Sequence, residues 1–129
     1  MNRIKFTLLA ASLTLAMALT LSCSDDKDDS SGVVSCMYSE FSFSRPLNGY
    51  SKGGYCRERV KAYFELKGAP MAEVIEECEE DGGEFINGSC PTEHVLKCTY
   101  GSNEKLRSDY LYGNQFKDVD DCDEFSDAL

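Results

Sequence analysis

Hydrophobic and polar positions change rhythm three times along this chain. From Phe6 to Leu21 the residues are apolar or small, with no charge among them; from Ser24 to Gly32 there is no apolar residue at all. Beyond Val33 the two kinds are interleaved, as in a folded domain. Met71, Val74, Ile75 and Cys78 stand at i, i+3, i+4 and i+7, the spacing of one helix face. Phe116, Val119, Cys122 and Phe125 recur every third residue and predict a second, narrower helical stripe from Gln115 onward. Met37 to Phe43 alternates as a strand does. Val95–Tyr100 and Lys105–Tyr112, joined by Gly101-Ser102-Asn103, predict a hairpin. Glu84-Phe85-Ile86 before Asn87-Gly88 predicts a short strand and turn. Val60 to Leu66 fits either a strand beside the first or an extension of the helix.

Punctuation agrees with the helix reading. Pro70 suits the start of a helix and Gly82-Gly83 suits its end. The fold class expected is α+β: a small disulfide-stapled antiparallel sheet with two helices on it.

Two stretches look like copies of one plan. Cys56 leads through Tyr63-Phe64 and Gly68-Ala69-Pro70 into a helix holding Cys78; Cys98 leads through Tyr110-Leu111-Tyr112 and Gly113-Asn114 into one holding Cys122. The units of this internal two-fold duplication would run over about 56–88 and 98–127. Six cysteines allow many connectivities, and sequence alone does not choose among them. The duplication makes one economical: Cys56 with Cys78, Cys98 with Cys122, and Cys36 with Cys90.

The N-terminal pattern is a matter of address. Arg3 and Lys5 precede the apolar run, which is too short and too rich in Thr and Ser for a membrane span, so residues 1–22 read as a secretory signal peptide. Thr20-Leu21-Ser22-Cys23 resembles the lipobox of bacterial lipoproteins, which implies cleavage before Cys23 and its lipidation. The count supports this, since the chain holds seven cysteines and lipidating Cys23 leaves an even number to pair. Residues 23–34 are then a disordered acidic tether and 35–129 a single disulfide-rich domain. The Asp-rich start resembles surface-export signals of Bacteroidota-like lipoproteins, and Ser24 beside Cys23 fits outer-membrane sorting. The expected location is the bacterial cell envelope, lipid-anchored at the outer membrane, periplasmic or surface-exposed.

Composition narrows the function. The formal charge is −10, and the leader removes basic residues but no acidic ones, so a phosphate backbone is repelled and nucleic acid is excluded as a partner. The chain also resembles a loose class of small bacterial lipoproteins that repeat a Cys, aromatic-pair, helix-Cys, Gly-Gly-aromatic unit. The residues that carry the likeness are Gly54-Tyr55-Cys56, Glu77-Cys78, Gly82-Gly83-Glu84-Phe85, Cys90-Pro91, Lys97-Cys98, and Tyr110-Leu111-Tyr112 with Cys122. That class implies scaffold and location, and no activity.

Catalytic chemistry is poorly supplied. His94 is the only histidine, no nucleophile is marked, and there is no C-x-x-C, so neither an enzyme nor a zinc or redox site is expected. Asp118, Asp120, Asp121, Asp123 and Asp127 lack the glycine of a calcium loop and read as a solvated face. No metal and no cofactor is expected. Tyr38, Tyr50, Tyr55, Tyr63, Tyr100, Tyr110 and Tyr112 serve either a core or an exposed binding patch. Two functions stay open: a structural or interaction module of the envelope, meeting the membrane through its anchor and an envelope protein or glycan; or a small ligand-, glycan- or enzyme-binding module of inhibitor type. A concave aromatic cluster with convergent polar groups marks the second; a convex, uniformly acidic surface marks the first.

Overall fold

A computed structural model describes residues 32–129, which form one compact unit. Cys23, the leader 1–22 and most of the tether lie outside the described residues. Val33 and Val34, which the sequence reading assigns to the end of the tether, belong to the first strand: Val33 pairs with Val60 and Val34 is buried.

Five antiparallel strands make one sheet, in the order β3-β1-β2-β5-β4. Strand β1 is Val33–Leu47 and β2 is Tyr50–Val60. They are joined at Asn48-Gly49, both with positive φ (49° and 83°), the pair that a two-residue hairpin turn favours. Register shifts interrupt β1 between Tyr38 and Phe41 and again between Ser42 and Leu47. The first inserts one extra residue, so Tyr38 and Phe41, an odd number of positions apart, both reach the same face. Tyr38, Phe41, Phe43 and Leu47 thereby join a single core.

Helix α1, Lys61–Lys67, follows β2 directly and ends at Gly68 in the left-handed conformation. Helix α2, Met71–Glu80, covers the stripe that the period predicts. Strand β3, Glu84–Ile86, returns to β1. Residues 87–95 then cross beneath the sheet to β4, Leu96–Tyr100, which pairs with β5, Arg107–Tyr112. The last segment holds a short 3-10 turn, Asn114–Phe116, and helix α3, Cys122–Ala128.

Tyr63 and Phe64 belong to α1 and not to a strand, and the described residues hold three α-helices where two were expected. The aspartate-rich run also moves the last helix: Asp121 accepts a hydrogen bond from the Asp123 N–H (2.9 Å) and caps it, so Cys122 opens the helix instead of closing it. Aspartate favours a cap over a helix interior. Phe116, Val119 and Phe125 are all buried, as the apolar stripe requires, but a turn and a short helix present them. The two cysteine-bounded stretches thus take different local forms, β2-α1-α2 in one and β4-β5-turn-α3 in the other.

The disulfides are Cys36–Cys78, Cys56–Cys90 and Cys98–Cys122. They replace the expected Cys56–Cys78 and Cys36–Cys90. Strand register gives the reason: Cys36 lies opposite Arg57 and Met37 opposite Cys56, so Cys36 and Cys56 point to opposite faces. The upper face carries Cys36 and receives α2; the lower face carries Cys56 and receives the crossing segment with Cys90.

The main core lies on the upper face under α3: Phe43, Leu47, Tyr55, Cys98, Leu111, Phe116, Val119, Phe125 and Ala128. Gly53 is required there, because a β-carbon at that position would overlap the Phe116 ring. A smaller lower-face cluster joins Cys56, Cys90 and Tyr110, with Met37 and Tyr112 packed against it.

Candidate functional site

Strand pairing assembles a row of side chains across the upper face. Cys36, Arg57, Asp109 and Cys98 are successive cross-strand partners on β1, β2, β5 and β4. Both ends of the row are tied to helices, Cys36 to α2 and Cys98 to α3. The next row is Val34, Arg59, Arg107 and Tyr100. Three guanidinium groups are therefore gathered around one carboxylate between the two helices.

Asp109 is fully buried and its charge is compensated on several sides. Its Oδ1 accepts hydrogen bonds from the Tyr55 hydroxyl and Arg57 Nε, both at 2.8 Å. Arg57 Nη2 lies 3.5 Å from Oδ2, and Arg107 Nε forms an ion pair with Oδ2 at 3.2 Å. Burial alone would lower the Arg57 pKa, but the Asp109 hydrogen bond and the nearby charge outweigh it and raise the guanidinium above its ordinary value. Tyr55 is pushed up by burial, then by Asp109. Arg107 is stacked over Tyr100 at 4.6 Å.

Arg59 differs from its neighbours. Its guanidinium stacks on the Tyr63 ring at 4.0 Å, and no acidic side chain among the described residues forms an ion pair with it. Burial, followed by the like charges of Arg57 and Arg107, lowers its pKa. A guanidinium without an ion-pair partner among the described residues lines a cavity.

That cavity, of about 150 Å³, lies between the sheet and the first two helices. Its floor is Val34, Cys36 and Tyr38 from β1 with Arg57 and Arg59 from β2; Phe64 of α1, Val74 and Glu77 of α2, Asp81 and Phe85 complete the walls. The Cys36–Cys78 bond holds α2 over the floor, and a side chain at Gly83 would overlap Cys36 Sγ. Pockets for drug-sized ligands run to about 300–1,000 Å³. This one suits a single small group, since an engineered cavity of about the same volume takes benzene. Tyr38, on its floor, has its pKa raised by burial and then by Asp81, against the opposing charge of Arg57. Fields of both signs reach one hydroxyl.

The residues singled out in the sequence fall elsewhere. His94 packs on Tyr110 of the lower face, ring centroids 5.0 Å apart, beyond the sheet from the arginines. Its Nδ1 is buried without a hydrogen-bond partner. Asp118, Asp120, Asp121, Asp123 and Asp127 are exposed. Among the described residues no group of three or more His, Cys, Asp or Glu is placed to hold a metal ion. Of the tyrosines, Tyr55 and Tyr110 are buried, while Tyr50 is half exposed. Tyr38 stacks on Tyr55 at 5.8 Å and Phe41 packs on Tyr55 at 4.7 Å, so much of the aromatic content is core.

The arginine cluster had a signal in the sequence: Arg57-Glu58-Arg59 and Arg107-Ser108-Asp109 alternate with period two. Alternation places like residues on one strand face, but only the pairing of β2 with β5 brings the two motifs together. Comparison with family models, with curated proteins and with solved structures found no match.

Proposed function

We propose that this protein is a lipid-anchored, extracytoplasmic binding module that takes a small anionic ligand, a carboxylate with an apolar body, in the cavity between the sheet and the first two helices. The observation that carries this reading is Arg59, a half-buried guanidinium lining a partly apolar cavity with no acidic ion-pair partner among the described residues, in a chain of net charge −10. Guanidinium binds carboxylate with matched geometry and strong charge-assisted hydrogen bonds. Phe64, Val74 and Phe85 supply the apolar walls. The concavity supports a ligand-binding role over a purely structural one. His94, on the other face of the sheet, is not available to such a ligand, which supports binding without catalysis.

The anchor is part of the same proposal. Cys36, Cys56, Cys78, Cys90, Cys98 and Cys122 are all engaged in disulfides, which supports Cys23 as the cysteine reserved for lipid and an oxidising compartment as the location. The test is titration of the detergent-solubilised full chain with 4-methylpentanoate, followed by calorimetry and amide shifts. Saturable binding that Arg59→Gln weakens at least about tenfold, the effect of losing one charge-assisted contact, is expected. Absence of saturable binding, or equal affinity in the variant, defeats the reading.

A further inference from the structure

The same cavity carries charge of the other sign. Val74, Glu77, Cys78 and Asp81 stand at helical spacings on the side of α2 that faces the sheet. Glu77 and Asp81 thus line the wall opposite Arg57 and Arg59. Yet the arginine ion pairs seen across this face, from Arg57 and Arg107, both run to Asp109; none joins Arg59 to Glu77 or Asp81. Two guanidinium groups and two carboxylates share one small cavity with no ion pair between them.

Three kinds of wall meet there: cationic on the floor, anionic on the helix, and apolar at Phe64, Val74 and Phe85. We infer that the ligand is a free apolar α-amino acid of leucine or valine size, its carboxylate held by Arg59, its ammonium by Glu77 and Asp81, and its side chain by the apolar wall. The inference rests on the carboxylate reading above and adds the second charge. A ligand bearing both charges satisfies Arg59 and the α2 carboxylates at once, whereas a simple anion leaves the carboxylates facing its negative end. The volume sets the size, since a cavity of about 150 Å³ has room for one branched side chain and not for a chain of residues.

The experiment compares leucine and valine with their deaminated acids, 4-methylpentanoate and 3-methylbutanoate, and with 3-methylbutylamine, on the detergent-solubilised, disulfide-intact full chain. An amino acid is expected to bind about tenfold or more tightly than its deaminated acid and than the amine. The double variant Glu77→Gln with Asp81→Asn, at two exposed positions, is expected to bring the amino acid down to the level of its acid while the acid binds no worse. If the acids bind as tightly as the amino acids, the amphoteric ligand is overturned and the carboxylate reading stands. If only the amine binds, or nothing does, both fall. Unchanged amino-acid affinity in the double variant likewise overturns the assignment.

Discussion

Asp109 is the only Asp, Glu, Lys or Arg among the described residues that is fully buried, and it holds the geometry of the arginine cluster. Arg57 is aimed by its bond to Oδ1, and Arg107 by its contact with Oδ2. Neutralising the buried Asp109 leaves two partly exposed guanidinium groups without their hydrogen-bonded counter-charge, at a cost of about 1–3 kcal/mol. Asp109→Asn is therefore expected to lower the unfolding free energy by about that amount in a denaturant titration. A loss under about 1 kcal/mol would mean that solvent already screens the pair. Tyr55 provides the pH counterpart. Its pKa is raised in the folded state, so the folded protein keeps the phenolic proton after the unfolded chain has lost it. Stability from this group is fully present below the unfolded tyrosine pKa of about 10 and falls as pH rises beyond it. Alkaline unfolding is expected to be shallower in Tyr55→Phe, which keeps the ring but has no proton to lose; Tyr38, Tyr110 and Tyr112 are raised as well and leave a residual slope. An identical slope in the variant would assign the alkaline loss to other groups.

At the scale of elements, much was legible because it is local. The α2 stripe, the β4–β5 hairpin, β3 and the first part of β1 follow from period and turn residues within a few positions. Asn48-Gly49, a hairpin signal that the sequence reading passed over, ends β1 in the structure. The disulfides were less legible, since a bond depends on which face each cysteine takes, and bulges and register shifts decide that. Loop closure assigns about 3–4 kcal/mol to each bond at sequence separations of 42, 34 and 24 residues, before native-state strain is discounted. The bonds have different tasks, however. Cys36–Cys78 pins the wall of the cavity, and Cys98–Cys122 pins α3 over the main core. Replacing Cys36 and Cys78 together by Ala is expected to cost roughly the loop-closure amount and to abolish carboxylate binding, while far-ultraviolet circular dichroism stays near that of the parent. Retained affinity in that variant would show that α2 stays in place without its staple. Peptide mapping without reduction is expected to recover Cys36 with Cys78 and Cys56 with Cys90 in the parent.

For the whole molecule, we propose that a lipid anchor and the domain divide the work. We propose that the acyl chains on Cys23 hold the protein at the envelope while residues 33–129 present the cavity. Each buried methylene contributes about 0.8 kcal/mol to attachment, and multiple chains make it effectively permanent. Cys23→Ala is expected to move the protein from the membrane fraction to the soluble fraction without altering its disulfides. Membrane association that survives the substitution defeats the lipid anchor. The acidic surface fits this division, since like charge keeps tethered neighbours apart.

Local physics settled the α+β class, the positions of most strands and one helix, and the oddness of the cysteine count, because periodicity, turn chemistry and arithmetic act over short distances or none. The alternation of Arg57 with Arg59 and of Arg107 with Asp109 lies in the sequence too, but nothing local joins the two motifs. Long-range pairing settled the rest. The register of β1 on β2 sent Cys36 and Cys56 to opposite faces, and the insertion of β5 between β2 and β4 brought Asp109 against Arg57. Those choices depend on contacts between residues far apart in the chain, where a shift of one position exchanges the faces of a whole strand. The cavity exists only as their result.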